Sequence, residues 1–511
     1  MNSVYALIVC CGITCNLFAQ NPTQKEADRI KIEHAQIGID DSQVQLYKHT
    51  ANPGAQWFPQ AGFGMFIHWS ISSVKELDLS WPMMAGTQIG WSVKKPSQDS
   101  INKFIANDDF FAGHRCKVNN TCITPNQYWE LAKDFNPKSC NPETWVKLAK
   151  EAGMEYVVFT TRHHDGFAMW PSKYGNFNTK NYLGGRDFVK EFVTACRKYG
   201  MKIGLYYSGP DWHFNKDYQS FLYYGVGRDY VNIPSIDADH HVRNTAKTEA
   251  EKQKHYEDVA AYLKGQVEEL LTNYGKIDMI WFDGGPDIPK GNIAREHTIT
   301  MERIHQLQPG IVVSPRFFGY GDYKTLEGDK SLPTTKQNDW AELCATIADP
   351  GWGYTRALLK STAYVLNQLA VCRSNNTNFL LNFGPTKEGA FSDEMISRLK
   401  EIAVWMKSNK PAISGSNALS DDELASVPAT ASGEHRYLFA MPSVTNKFKT
   451  VLPSESLTIT FKTGRTVKHI RILGKEEELK YVINNGSVNI EIPSHIRSVN
   501  GDVIDIELNK L

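Results

Sequence analysis

Residues 20 to 415 predict an α/β fold, a (β/α)8-like TIM-barrel catalytic domain, and residues 416 to 511 predict a C-terminal antiparallel β-sandwich. Three observations carry this. One phrase recurs along the first region: an amphipathic helix, a glycine turn, a short apolar run, then polar and aromatic residues. The chemistry-bearing side chains collect where those apolar runs stop, at the strand ends where such barrels keep their active sites. Beyond the turn at Pro411 the texture changes to period-two alternation.

The apolar runs can be taken in order. GFGMFIHWS opens the series at Gly62, followed by GMEYVVFTTRHHDGF from Gly153, GMKIGLYYSGPDWH from Gly200, GKIDMIWFDGGPD from Gly275, GIVVSPRFFG from Gly310 and NFLLNFGPTKEG from Asn378. Runs of this length between helices such as PETWVKLAKEA and RDFVKEFVTACRKY indicate parallel strands buried on both faces. A doubly wound sheet has the same rhythm, but no GxGxxG follows the first strand, and the number of units favours a barrel. After the helix SDEMISRLKEIAVWMKSNK, the stretches SLTITFKTG, KHIRILG, SVNIEIP and DVIDIEL alternate as sandwich strands do.

At the N-terminus, an uncharged apolar run from Val4 to Phe18 reads as a signal peptide, residues 1 to 19, cleaved after Ala19. The expectation is a secreted or periplasmic protein. The run is shorter than the roughly 20 residues of a membrane span. Bulky Val9 and Thr14 stand before Cys10 and Cys15 where a lipoprotein anchor needs a small residue.

The chain of 511 residues balances 56 Lys and Arg with 56 Asp and Glu, so it has no field to gather nucleic acid or anionic membrane. A neutral partner fits, and the 12 Trp and 22 Tyr offer faces suited to the C–H surfaces of sugars. Outside the leader stand Cys116, Cys122, Cys140, Cys196, Cys344 and Cys372; Cys116 and Cys122 in HRCKVNNTC are either a local disulfide or two loop thiols. No CxxC pair or HExxH occurs, so no zinc site is expected.

Glycosidic cleavage needs two carboxyl groups, one at the anomeric carbon and one to protonate the leaving oxygen. Asp283 in IDMIWFDGG follows the most apolar run, and the glycines after it are expected to leave backbone open for a sugar ring. With WFPQAGFGMFIHWS, TTRHHDGFAMWPSKYGNFNT, GLYYSGPDWH, WFDG, WGY from Trp352 to Tyr354 and NFLLNFGPTKEG in this order, residues 55 to 415 resemble the family 29 α-L-fucosidases. TTRHHDGF is the most specific of these motifs.

The resemblance implies a retaining exo-α-L-fucosidase, acting on a fucosylated oligosaccharide or glycoconjugate through a covalent glycosyl-enzyme, with neither metal nor organic cofactor. It makes Asp283 the nucleophile and places His68, Trp81, His163, His164, Tyr206, Trp281 and Arg316 around the fucose. Imidazoles suit this role because one ring nitrogen donates while the other accepts. For the acid/base, the resemblance favours Glu327 in GDYKTLEGD over Glu342 in DWAELCATI, where Ala341 interrupts the family pattern. The chain also departs at DLSW, where Ser80 rather than an acid precedes Trp81, and at SNNTN near residue 375, where a reshaped pocket rim is expected. Two rivals remain: the same site acting on α-L-galactose, whose added hydroxyl an apolar pocket rejects by only ~10²-fold, and a catalytically silent carbohydrate-binding protein.

Overall fold

A computed structural model describes residues 49–510 apart from 91–94, 107–122, 286–297 and 485. The leader and the pair Cys116 and Cys122 lie outside the described residues; Cys140, Cys196, Cys344 and Cys372 are free and buried. Among the described residues, no helix is long and apolar enough to cross a membrane.

Eight parallel strands form one curved sheet: β1 Phe63–Ile67, β2 Tyr156–Arg162, β3 Lys202–Ser208, β4 Met279–Asp283, β5 Val312–Val313, β6 Lys324–Glu327, β7 Ala341–Thr346 and β8 Thr377–Phe383. The order is β5-β4-β3-β2-β1-β8-β7-β6. Helices α1 Pro142–Glu151, α2 Phe188–Tyr199, α3 Glu249–Thr272, α4 Met301–Leu307, α5 Thr362–Ser374 and α6 Asp393–Asn409 follow β1, β2, β3, β4, β7 and β8. The helical rhythm fails in one sector: neither the β5–β6 nor the β6–β7 connection contains an α-helix.

Strands β1, β2 and β8 are buried at every position, and their side chains alternate between two cores. Phe63, Met65, Ile67, Val157 and Phe159 face the helices. Phe66, Tyr156, Val158, Tyr206, Met279, Trp281 and Leu380 fill the barrel interior. Gly64 belongs to that interior set, and its missing Cβ is what admits Tyr156, whose ring would lie 2.4 Å from it. Because the period is two, the residue two places beyond each interior aromatic occupies the next layer up. His68 thus follows Phe66, Ser208 follows Tyr206, and Asp283 follows Trp281.

No ladder joins β5 to β6. Asp322 closes this seam instead: its N–H donates to the Val313 carbonyl at 2.9 Å, while its carboxylate accepts from the N–H groups of Val313 at 2.7 Å and Thr50 at 2.8 Å.

The C-terminal strands are β9 Asn417–Ala418, β10 Leu424–Ala425, β11 Ala429–Ser432, β12 His435–Ala440, β13 Leu457–Lys462, β14 Val467–Ile472, β15 Tyr481–Asn484, β16 Ser487–Ile492 and β17 Asp502–Leu508. They form antiparallel sheets ordered β9-β11-β12-β17-β14 and β10-β13-β16-β15, with Ile459, Phe461, Ile470, Ile490, Ile504 and Ile506 between them. The sandwich rests directly on the barrel: Tyr437, Phe439 and Val503 join the helix-facing core, Trp405 of α6 donates to the Gly501 carbonyl at 2.9 Å, and buried Arg373 donates to the Ser416 carbonyl at 2.6 Å. The SNNTN turn belongs to this junction. It stands at the N-terminal end of β8, remote from the pocket rim, and Asn376 accepts from the Ala418 N–H at 2.7 Å. The expected reshaping of the rim is therefore corrected.

Asp322→Ala is expected to leave two backbone N–H groups without their acceptor and to lower the unfolding free energy by ~3 kcal/mol. Urea denaturation checks this, and a loss below ~0.5 kcal/mol would show that the seam does not depend on the side chain.

Candidate active site

A cavity of about 330 Å³ opens at the C-terminal end of the barrel, and His68, Trp81, His163, His164, Tyr206, Trp281, Asp283, Arg316 and Glu327 all line it. Its floor is the top aromatic layer of the interior. Trp281 lies nearly parallel to Tyr206, with ring centres 5.7 Å apart, and packs against Phe66 at 5.0 Å. Arg316 lays its guanidinium over the indole, 4.8 Å from the ring centre.

That guanidinium binds both candidate carboxylates. Nη1 donates to Asp283 Oδ1 at 3.0 Å and Nη2 to Glu327 Oε2 at 2.5 Å. Tyr206 OH donates to Asp283 Oδ2 at 2.7 Å. Burial alone raises the Asp283 pKa, but the charge of Arg316 and the hydrogen bonds from Tyr206 and Arg316 outweigh it, holding the carboxyl below its ordinary value. The same environment drives the Tyr206 phenol well above its ordinary value, first through burial and then through Asp283. The Asp283 side chain is 15% exposed and that of Glu327 35%. One carboxylate therefore sits deep and the other nearer the mouth.

The three histidines are neutral hydrogen-bonding groups. Burial lowers His68 and His164 to about 4 and His163 well below its ordinary value. Their partners fix which nitrogen carries the proton. Asn382 donates its amide N–H to the Trp352 carbonyl at 2.7 Å, so its oxygen faces His68 Nδ1 at 2.6 Å and must accept. Ser208 Oγ donates to the Pro210 carbonyl at 2.9 Å, so it accepts from His164 Nδ1. Nε2 of both rings is then an acceptor. His164 Nε2 stands 3.6 Å from Asp283 Oδ2, two acceptors that a hydroxyl donor would suit. Ser80 Oγ pairs with His163 Nδ1 at 2.7 Å, which gives the departure at DLSW its physical role.

Donor atoms of His163, His164 and Asp283 lie within 4.8 Å of one another, close enough to hold a metal ion. The Arg316 cation against Asp283 makes that cluster a poor cation site and a good one for neutral hydroxyls.

Glu342 does not line the cavity. It is fully buried in β7 beneath the floor, where Oε1 accepts from Trp281 Nε1 at 2.8 Å and Oε2 from Tyr156 OH at 2.6 Å. Burial lifts its pKa to about 7 against those hydrogen bonds.

Gly284 takes a positive φ of 78°, and its carbonyl passes so close to the end of β3 that a Cβ on Gly209 would lie 2.1 Å from the oxygen. Sequence reasoning missed several groups that complete the site. Asp78 accepts from the N–H groups of Trp352 at 2.7 Å and Gly353 at 3.1 Å, while Tyr223, Tyr224, Pro350 and Gly351 line the mouth. Ser208 and Asn382 were legible as strand-end polar residues; FLYYGVG has no strand to mark it.

Residues 33–411 match the family model described as alpha-L-fucosidase. Human tissue alpha-L-fucosidase is 27% identical over 374 residues, 71% of this chain and 70% of that protein. Alpha-L-fucosidase isoenzyme 1 from Paenibacillus thiaminolyticus superimposes with TM-score 0.65 at 27% identity, covering 90% of this chain and 99% of that one. An alpha-L-fucosidase from Bacteroides thetaiotaomicron, solved as a trapped covalent intermediate, shares the fold with TM-score 0.65 at 22% identity, covering 91% and 98%.

The Glu342 environment sets a pH dependence. Its carboxyl keeps its proton in the fold up to about 7, whereas the unfolded chain releases it near 4.5. The folded state therefore binds the extra proton between these values, and the parent loses stability as pH rises through them. Glu342→Gln preserves an acceptor for Trp281 and does not titrate. Its stability relative to the parent is expected to climb between pH 4.5 and 7, by on the order of 3 kcal/mol, and to level off above. Melting temperatures of both proteins across pH check this; a flat difference would mean that Glu342 is ionised throughout.

Proposed function

The chain belongs to the alpha-L-fucosidase family and is a glycoside hydrolase, and we propose that it removes terminal α-L-fucose from fucosylated glycans by double displacement, with Asp283 as nucleophile and Glu327 as acid/base. The observation that carries this reading is the single Arg316 guanidinium held between the two carboxylates. In the first step an Asp283 oxygen bonds to the anomeric carbon as the glycosidic C–O bond breaks, and Glu327 gives its proton to the departing oxygen. In the second, water gives its proton to Glu327 and attacks the same carbon, releasing Asp283 as a carboxylate. Two inversions return the α configuration.

The electrostatics support each role. A depressed pKa keeps Asp283 ionised for attack and makes it a competent leaving group afterwards. The deeper position of Asp283 and the more exposed one of Glu327 orient the sugar with its leaving group toward the mouth, as exo-action requires. His68 and His164 offer neutral acceptors to sugar hydroxyls, and Phe66 and Trp281 offer apolar surface to the ring and its methyl group. Glu342, with both oxygens engaged below the floor, has no route to the leaving oxygen. We further propose export, with residues 1–19 removed and the mature protein beginning near Gln20; N-terminal sequencing of secreted protein checks it.

Asp283→Gly is expected to fold normally and to lose at least ~10³-fold in turnover, with azide restoring product as the inverted glycosyl azide; near-parental turnover would remove Asp283 from the role. Early-turnover proton NMR should show α-fucose first, and a β first product would rule out retention. Glu327→Ala should cost ~10²–10⁴-fold on an oligosaccharide yet spare the first step on an activated aryl fucoside. The same leaving-group pattern at Glu342→Ala would transfer the acid/base role there.

A further inference from the structure

The cavity extends beyond the ring of histidines and carboxylates to a mouth whose side walls nothing above explains. Tyr223 and Tyr224, from the connection between β3 and α3, line it, as do Pro350, Gly351 and Trp352, from the connection after β7. Tyr223 is buried and anchored: its N–H donates to the Ala85 carbonyl at 2.8 Å, the Ala85 N–H donates to the Phe221 carbonyl at 2.9 Å, and its ring meets Trp81 edge-on at 6.3 Å. Tyr224 is half-buried and packs on Tyr223, with ring centres 4.4 Å apart and the two hydroxyls 3.0 Å apart.

Tyr224 lines the same cavity as Glu327, the proposed acid. The group that Glu327 protonates leaves through that cavity, along a wall that Tyr224 helps to form. That face has two properties a neutral sugar ring requires: a flat apolar surface for its C–H face, and a pair of phenol hydroxyls at the edge for its own hydroxyls. Pro350, Gly351 and Trp352 carry no charge, and Asp78, which also lines the cavity, is occupied by the N–H groups of Trp352 and Gly353.

We propose that Tyr224, backed by Tyr223, is the leaving-group subsite of this enzyme and stacks the pyranose ring from which fucose is cut. The assignment rests on the fucosidase reading above. It makes Tyr224 a specificity residue whose ring, more than its hydroxyl, selects glycosides with a sugar as leaving group over those with a small one.

The test compares a fucosyl-hexose disaccharide with α-L-fucosyl fluoride, whose leaving group has no ring to stack and needs no proton. In Tyr224→Ala, the ratio of kcat/KM for disaccharide to that for fluoride is expected to fall at least tenfold, chiefly through KM. Tyr224→Phe should hold the ratio within about threefold, and the acid limb of the disaccharide pH profile should stay in place in both variants. An unchanged ratio in Tyr224→Ala overturns the proposal, as does an equal loss on both substrates. A Tyr224→Phe loss matching that of Tyr224→Ala also overturns it, because the hydroxyl would then be acting through Glu327. If the parent hydrolyses neither substrate, the underlying fucosidase reading fails instead.

Discussion

The site depends on how one buried cation is shared. Arg316 leaves the chain just after β5, lies on the indole of Trp281 and donates one hydrogen bond to Asp283 and another to Glu327. Two carboxylates brought this close without it would repel, and at least one would take up a proton. With the guanidinium between them, the deeper carboxylate is held ionised despite its burial. Because Arg is never deprotonated under ordinary conditions, the cation itself does not vary with pH.

The histidines complement the cation by contributing no charge. Burial above all keeps the three neutral, helped by neighbouring imidazoles at His68 and His163 and by Arg162 and Arg316 at His164, and charged imidazoles beside Arg316 would compete with it for Asp283. What they supply is direction. Asn382 and Ser208 each accept from an Nδ1, leaving both Nε2 atoms as acceptors. A neutral substrate with several hydroxyls satisfies such a surface, which agrees with the zero net charge of the chain.

Much of this was legible in the sequence because the barrel converts linear position into depth. A polar residue two places beyond a buried aromatic must face the layer above it, so His68, Ser208 and Asp283 can be read off their strands without knowing their neighbours. The method fails where a strand lacks an apolar signature. KTLE is short and charged at both ends, and AELCAT carries a glutamate at a fully buried position, so neither β6 nor β7 stood out as a strand. The Glu342 carboxyl is tolerated there only because a tryptophan and a tyrosine satisfy both its oxygens. Tyr223 and Tyr224 escaped for a different reason: their place at the mouth is set by long-range contacts with the Ala85 loop, which no local pattern encodes.

The sector that broke the helical rhythm is the one that carries Arg316 and Glu327, and its construction explains how it can hold them. Strand β6 has a seam on one side, where Asp322 substitutes for a ladder, and no helix of its own follows it. Its outer end is tied instead by Asp329, two residues past Glu327, whose carboxylate accepts from the ammonium of buried Lys360 at 2.5 Å, Gln368 at 3.0 Å and Tyr364 at 3.1 Å. Helix α5, which belongs to the following unit, thus anchors β6 as well as β8. Burial raises Asp329 and lowers Lys360, but the pair's hydrogen bonds with each other and with α5 outweigh it at Asp329, which stays below its ordinary value. A carboxylate that must exchange a proton with a departing group needs access to solvent and a fixed backbone together. Glu327, 35% exposed in a strand that Asp322 closes on one side and Asp329 ties at the outer end, meets both.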